Sequence, residues 1–301
     1  MFGFIGAGKV GTTLGIYLNN CNLPITGYTS KSYSSAKKSA ELTDSTAYEV
    51  IETLVDSSKY IMITTPDDNI KDIVSKLLLI DTNWNDKTIC HTSGTYASTI
   101  LEPLHKLGST TVSLHPMLSF ADIDNAVKML PHTPLTLEGQ GIHLQDFIDT
   151  LKLSNLNITT IKPEQKTLYH TAACTVSNYL VTLINTGIEL LKTIGFEQET
   201  ALELIHPLVK GTVDNIFTKG PTEALTGPIA RGDVNTIKTH LRALTNQDNR
   251  LKEFYCLLGN ETVDLAKKQK KLNEYTLNNI KEVLHYEINN NPNNKEKEVK
   301  K

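Results

Sequence analysis

Phe2-Gly3-Phe4-Ile5 runs directly into Gly6-Ala7-Gly8-Lys9-Val10-Gly11, and Thr12-Thr13-Leu14-Gly15-Ile16-Tyr17-Leu18 continues beyond it. An apolar strand that feeds a G-x-G-x-x-G turn and opens a helix is the entry to a dinucleotide-binding βαβ unit. Gly6 permits the tight turn, Gly8 lets the backbone approach a pyrophosphate, and Gly11 lets the helix pack closely on the strand. The helix N-terminus aims free N–H groups and a partial positive charge at the phosphates. Gly6, Ala7, Gly8, Lys9, Val10 and Gly11 are therefore the first candidate cofactor contacts.

Gly3 to Lys9 also approaches the P-loop pattern G-x-x-x-x-G-K-[ST]. Val10 stands where that motif needs a hydroxyl for Mg²⁺, and the two residues before Gly3 leave no room for its strand. A P-loop is thereby excluded. The second strand, Leu23-Pro24-Ile25-Thr26-Gly27-Tyr28, separates NAD from NADP. An NAD site places Asp or Glu about 20 residues beyond the glycines to accept from the ribose 2′-OH. Here Thr29-Ser30-Lys31-Ser32 follows, with no acid before Glu41. Hydroxyls and a lysine suit a 2′-phosphate, so Thr29, Ser30 and Lys31 predict NADP(H).

The 301 residues suffice for two domains. A net charge of −3 gives no basic footprint for nucleic acid. No apolar run of 18 residues or more predicts a membrane span, and the first residues read as a strand in use rather than a signal peptide. Cys21, Cys90, Cys174 and Cys256 lie far apart without a C-x-x-C, so neither a disulfide framework nor a zinc site is indicated, and a cytoplasmic location is expected.

Strands are expected at 61–64, 88–91, 111–114, 134–137 and 157–160, alternating with helical stretches. That alternation predicts an α/β fold, a doubly wound parallel Rossmann-type sheet. Ligands of such sheets lie beyond the carboxyl ends of the strands. The informative residues are then Thr64-Thr65-Pro66-Asp67, Thr92-Ser93-Gly94 and His115-Pro116-Met117; Thr64, Thr65, Pro66 and Thr92 are assigned to the cofactor. After Pro163 helical periodicity dominates, with breaks near Gly195 and at Gly220-Pro221, Gly227-Pro228 and Gly232-Asp233, where Asp233 suits an N-cap. The expected organisation is a dinucleotide-binding domain over 1–162, an all-helical substrate and dimerisation domain of five or six helices over 163–288, and a disordered tail over 289–301.

The first helix of the second domain carries a polar stripe. At about 100° per residue from His170, Lys166 falls near about −40°, Cys174 about +40°, Ser177 about −20° and Asn178 about +80°. His170 and Asn178 there could protonate and hold a substrate oxygen beside the nicotinamide, or serve as satisfied polar groups at a domain interface. His115, directly after the fifth strand and fixed by Pro116, is the second candidate proton donor. Arg231, in Gly227-Pro228-Ile229-Ala230-Arg231-Gly232-Asp233, suits a carboxylate or a helix-connecting salt bridge. A nicotinamide between His170 and His115, across a cleft, is the geometry this arrangement predicts.

These residues resemble the bacterial family that joins a Rossmann-like domain to a C-terminal helical domain of unknown function. The segments that carry the likeness are Gly3–Gly11, His91-Thr92-Ser93-Gly94, Leu114-His115-Pro116, Tyr169–Ala173 with Ser177-Asn178-Tyr179-Leu180, and Leu225-Thr226-Gly227-Pro228 through Asp233. The family consists mostly of predicted NADP oxidoreductases, and some members are taken for ketopantoate reductases. More distantly, the chain is similar to prephenate dehydrogenases, whose His-Pro-Met segment supplies an acid/base. That likeness implies the same role for His115, with Ser93 holding the reacting oxygen. Asn178 stands where those enzymes have His. The Lys and Asn four residues apart in β-hydroxyacid dehydrogenases are not matched by His170 and Asn178.

The implied activity is NADPH-dependent reduction of a small 2-oxo acid, with 2-dehydropantoate the first choice. His170 or His115 would supply the proton, Ser93 and Asn178 would position the oxygen, and Ser177 and Arg231 would bind substrate. A prephenate-like or amino-acid-related dehydrogenase and a non-catalytic NADP(H) sensor are the alternatives. The expected partners are a small-molecule substrate and a second copy of the chain in a two-fold dimer.

Overall fold

Strands buried on both faces read as unbroken apolar runs, and Tyr60-Ile61-Met62-Ile63 is such a run, with all four residues buried. In the computed structural model, which describes residues 1–245 and 247–289, eight strands form one sheet. They are β1 (Phe2–Ile5), β2 (Ile25–Thr29), β3 (Thr46–Ala47), β4 (Tyr60–Ile63), β5 (Thr88–His91), β6 (Thr110–Pro116), β7 (Pro134–Gln140) and β8 (Asn157–Thr160). Their order is β3-β2-β1-β4-β5-β6-β7-β8. The helices of this half are α1 (Lys9–Asn20), α2 (Tyr33–Glu41), α3 (Ile51–Asp56), α4 (Ile70–Leu77), α5 (Glu102–His105), α6 (Ile123–Met129) and α7 (Leu144–Lys152).

Side-chain alternation splits the core into two layers. Phe4, Met62, Cys90 and Val112 pack with Leu14 and Leu18 of α1 and Phe147 of α7. Ile61, Ile63 and Ile89 pack with Leu54 of α3, Val74 of α4 and Leu104 of α5. The order reverses at β1–β4, the switch point where such sheets bind ligands. The parallel expectation fails at one pair, for β6 and β7 run antiparallel, with His115 opposite Thr136. β6 also runs on through Pro116, so His115 lies within the strand rather than after it. The two-residue β3 was too short to leave a periodic signal.

After a 3₁₀ turn at Pro163–Gln165 come α8 (Lys166–Val176), α9 (Asn178–Thr193), α10 (Gln198–Ala224), α11 (Pro228–Arg231), α12 (Val234–Leu244), α13 (Asn249–Gln269) and α14 (Glu274–Asn289). That makes seven helices among the described residues where five or six were expected. All four expected glycine breaks are present. Gly195, Gly220, Gly227 and Gly232 have φ of +98°, +79°, +94° and +74°. Asp233 caps α12, accepting from Thr236 N at 3.0 Å. The chain divides into compact units at Ile184–Asn185, not at 162–163. The physical reason is α8, whose Tyr169 and His170 engage His115 of the sheet. In the second unit Ile237, Leu241, Cys256, Val263, Ile280 and Leu284 form the core. The expected tail lies, past Asn289, outside the described residues.

His91 closes β5 and anchors the loop that follows. It is fully buried, accepts from Ser93 N at 3.2 Å through Nδ1, and pairs Nε2 with Ala97 O at 3.2 Å. Burial holds its pKa down to about 4, and Lys166 adds to the shift. The unfolded chain, with an ordinary histidine near about 6.5, binds the extra proton between the two values. Stability is therefore complete above about pH 6.5 and falls as pH drops toward 4, by on the order of 3 kcal/mol for this group. Urea unfolding at pH 7 and pH 5 is expected to show the loss, and His91→Gln to flatten it. An unchanged pH slope in the variant would contradict the assignment.

Candidate functional site

The glycine turn is held by Thr64. Its Oγ1 donates to Gly6 O at 2.8 Å, and Gly6 N donates to Thr29 O at 2.8 Å. Gly6 has φ +112°, and a Cβ there would lie 2.8 Å from the Thr64 carbonyl carbon, so only glycine fits. A Cβ on Gly11 would overlap Thr64 Oγ1 and Gly6 O. Gly8 is different: a Cβ there would meet nothing within 4 Å. It is the N-cap of α1 with extended dihedrals and no side-chain cap. An uncapped helix N-terminus beside open space is what a dinucleotide pyrophosphate requires.

Beside this turn, at the carboxyl ends of β1, β2 and β4, lies a cavity of about 750 Å³. Gly6, Thr29, Ser30, Lys31, Thr65 and Pro66 line it, so the structure brings these sequence-predicted cofactor residues together. Lys76 and Asp72 of α4, Glu52 of α3 and the preceding Glu49 also line it and were not foreseen. Their elements are amphipathic helices whose exposed faces read only as solvated. The other expected contacts are not part of this lining. Ala7 and Val10 pack against the core, Thr92 N donates to Ile63 O at 3.2 Å, and Lys9 Nζ donates to Ala121 O at 2.6 Å.

A second cluster forms where β5 and β6 meet α8. The His115 and His170 rings stand edge to face with centroids 5.6 Å apart, and Tyr169 is edge-on to His115 at the same 5.6 Å. Tyr169 Oη and His115 Nδ1 are 3.2 Å apart. Cys174 Sγ lies 3.5 Å from His170 Nε2, while His170 Nδ1 is buried without a hydrogen-bond partner. Gly94 packs against both rings, and a Cβ there would overlap His170 Nδ1 and lie 2.9 Å from His115 Nε2. The imidazoles are in direct contact, so no slot for a nicotinamide separates them. Burial pushes His115 down to about 4, with Lys166 and His170 adding to the effect.

The stripe predicted on one continuous helix breaks at Ser177. There φ and ψ of −108° and −68° end α8, after the β-branched pair Thr175-Val176, which fits a helix poorly. Lys166, His170 and Cys174 keep one face, whereas Ser177 and Asn178 are exposed. Ser93 is buried and committed to its own loop. Its Oγ donates to Asp67 Oδ2 at 2.8 Å and accepts from Thr95 N and Tyr96 N at 3.1 and 3.0 Å. No proton is left on it for a reacting oxygen, contrary to the expectation. Arg231, in the second unit, is exposed at the end of α11.

Sequence reasoning placed Lys166 on the stripe without a role, yet it is the one buried residue of α8, only 1% exposed, and its Nζ has no hydrogen-bond partner. Burial lowers its pKa to about 8 against the pull of Glu138, Cys90 and Asp67. Glu138, 3% exposed on β7, accepts from Ser98 N at 2.6 Å and Ser98 Oγ at 2.7 Å. A charged residue amid Leu135 and Leu137 was the available signal, but the expected strand stopped at 137. Among the described residues, no group of three His, Cys, Asp or Glu side chains could hold a metal ion. Nor is any described helix long and apolar enough to cross a membrane.

Comparison with known proteins follows the same division. Protein TM1727 from Thermotoga maritima is 26% identical, over 90% of this chain and 100% of that one, with a TM-score of 0.68. BF3122 from Bacteroides fragilis, assigned as an NADP oxidoreductase, is 19% identical over 90% and 98%, also with a TM-score of 0.68. A reductive aminase from Aspergillus terreus, solved with NADPH and ethyl-5-oxohexanoate, is 13% identical over 95% and 93%, with a TM-score of 0.61. No curated protein matches. Residues 1–116 match the Rossmann-like domain and residues 133–262 match a domain of unknown function, DUF2520. The chain thus carries a Rossmann-like match followed by a DUF2520 match, in that order.

Proposed function

We propose that the chain is an NADPH-dependent reductase of a small carbonyl substrate, a 2-oxo acid, with 2-dehydropantoate the first to assay. The observation that carries the dinucleotide assignment is the open position at Gly8, set on an uncapped helix N-terminus between glycines that tolerate no side chain. Bound NADPH would supply a hydride. Gly6 to Gly11 would seat the pyrophosphate, and Ser30, Lys31 and Lys76 would offer donors and positive charge to a 2′-phosphate. Glu49, Glu52 and Asp72 in the same cavity oppose that charge, so the preference over NADH rests on the lysines.

His170 is the candidate proton donor to the substrate oxygen, set beside His115 on the half-buried face of α8. His115, oriented by Tyr169 and Gly94, would hold it in place. With Ser93 committed to Asp67, Asn178 is the remaining candidate for oxygen positioning. The similarity to a reductive aminase favours a second reading, in which an imine takes the place of the carbonyl and His170 protonates nitrogen. The free thiols of Cys21, Cys90 and Cys174 suit a reducing compartment such as the cytoplasm. We also infer a two-fold dimer built on α10. Leu202, Leu208 and Phe217 of α10 are exposed, Phe217 by 87%, the kind of apolar helix surface a second copy covers.

Fluorescence titration is expected to show tighter binding of NADPH than NADH, with Lys31→Ala weakening chiefly NADPH; equal affinities would overturn the preference. A panel of 2-oxo acids and cyclic imines, followed by NADPH oxidation, identifies the substrate class. On the true substrate His170→Ala is expected to lose about 10²–10⁴-fold in rate with NADPH affinity kept. Full turnover in that variant would remove His170 from the chemistry, and tight NADPH binding without turnover on any substrate would favour a sensor. Sedimentation at micromolar concentration is expected to give a dimer, and a monomer would contradict the α10 interface.

A further inference from the structure

The His115 ring is engaged along two edges. On one, Nδ1 lies 3.2 Å from Tyr169 Oη, with the two rings edge-on at 86°. The other is turned to the loop after β5, where a Cβ on Gly94 would lie 2.9 Å from His115 Nε2. A neutral imidazole has one N–H, and the hydrogen bond made by one nitrogen decides which of the two carries it. The bond between Tyr169 and His115 could run in either direction, and acid–base chemistry chooses. Burial raises the pKa of the Tyr169 phenol, so the hydroxyl keeps its proton at neutral pH. Burial of His115 holds its pKa down to about 4, so that ring is neutral there. A phenol is a far stronger acid than a neutral imidazole N–H, and an imidazole nitrogen is a far better base than a phenol oxygen. The pair is therefore O–H···N, with Tyr169 Oη donating to His115 Nδ1.

We propose that Tyr169 is a positioning residue for His115, fixing the ring in the tautomer that carries its proton on Nε2, the edge beside Gly94 and His170. This rests on the reading of the His115–His170 pair as the acid–base group of the site. The fixed N–H gives His115 a part of its own in that reading. A neutral ring does not hand over a full proton at pH 7. Its Nε2–H does donate a hydrogen bond to the substrate oxygen as negative charge grows there during hydride transfer. His170 remains the proton donor. The opposite tautomer would turn an Nε2 lone pair toward the same oxygen and repel it. Gly94 serves the same end, because a side chain at that position would crowd Nε2.

The test is Tyr169→Phe, which keeps the ring and removes the hydroxyl. Two-bond ¹H–¹⁵N correlation spectra of the full chain, labelled at histidine, report which nitrogen of each imidazole is protonated, and His115→Gln assigns the His115 signals. At neutral pH the wild-type ring is expected to show a protonated Nε2 and a bare Nδ1. In Tyr169→Phe the two ¹⁵N signals are expected to move toward each other as the Nδ1–H form becomes populated. A protonated Nδ1 in the wild type would overturn the proposal, and so would an unchanged ¹⁵N pattern in the folded variant. A merely structural tyrosine, packing through its ring, leaves that pattern unmoved. Where the variant does not fold, the wild-type spectrum decides alone: Nε2–H supports the assignment and Nδ1–H overturns it. Neither readout needs substrate, so failure of the proposed reductase activity is distinguished from failure of the Tyr169 assignment. On the true substrate, Tyr169→Phe is expected to lower kcat by about tenfold with NADPH affinity kept. Full kcat in a variant whose tautomer has changed would overturn the donor role of His115.

Discussion

The contact of the Gly6–Gly11 turn with Thr64 is the constraint on which the rest depends. Thr64 directly follows β4, the strand next to β1, and its hydroxyl fixes the Gly6 carbonyl at 2.8 Å. Two glycines are obligatory because Thr64 and its neighbours occupy the space their side chains would fill. With the turn fixed, α1 can only leave the sheet with its N-terminus at the carboxyl edge, beside the cavity lined by Ser30 and Lys31. Gly8 is free of that steric constraint, and its freedom is what marks it as facing a ligand. Packing accounts for Gly6 and Gly11, and packing has no use for Gly8.

The ring cluster obeys the same kind of exclusion. His91 is spent on its loop, with both nitrogens engaged. Ser93 is spent on Asp67 and two backbone N–H groups. What is left with unspent capacity is His170 Nδ1 and Lys166 Nζ, one helical turn apart. Gly94 has no Cβ because the two imidazoles stand where it would be. The loop after β5 is thus shaped around the rings.

How much of this the sequence carries depends on the range of the interaction. The βαβ entry, the cavity residues Ser30, Lys31, Thr65 and Pro66, and the helix breaks at Gly195, Gly220, Gly227 and Gly232 are local and legible. Topology and helix phase pointed His115 and His170 at each other, but across a nicotinamide rather than in contact. What escaped is long-range or cooperative. Periodicity carries no sign of strand direction, so the antiparallel β7 was missed. The break at Ser177 shifts Asn178 off the stripe by a local backbone choice that residue spacing does not encode. Ser93 looked available because Asp67, 26 residues away in sequence, takes its proton. Lys166 was visible on the stripe, but its burial is a tertiary fact.

Gly8→Val tests the dinucleotide cradle most directly. The backbone there is extended, with φ −85° and ψ −174°, and the space beyond is open to 4 Å, so the variant is expected to fold with the wild-type melting temperature. Its side chain would stand where the pyrophosphate must approach. Fluorescence titration is expected to show NADPH affinity reduced by about tenfold or more, at least about 1.4 kcal/mol. A folded Gly8→Val protein that binds NADPH as tightly as the wild type would contradict the account.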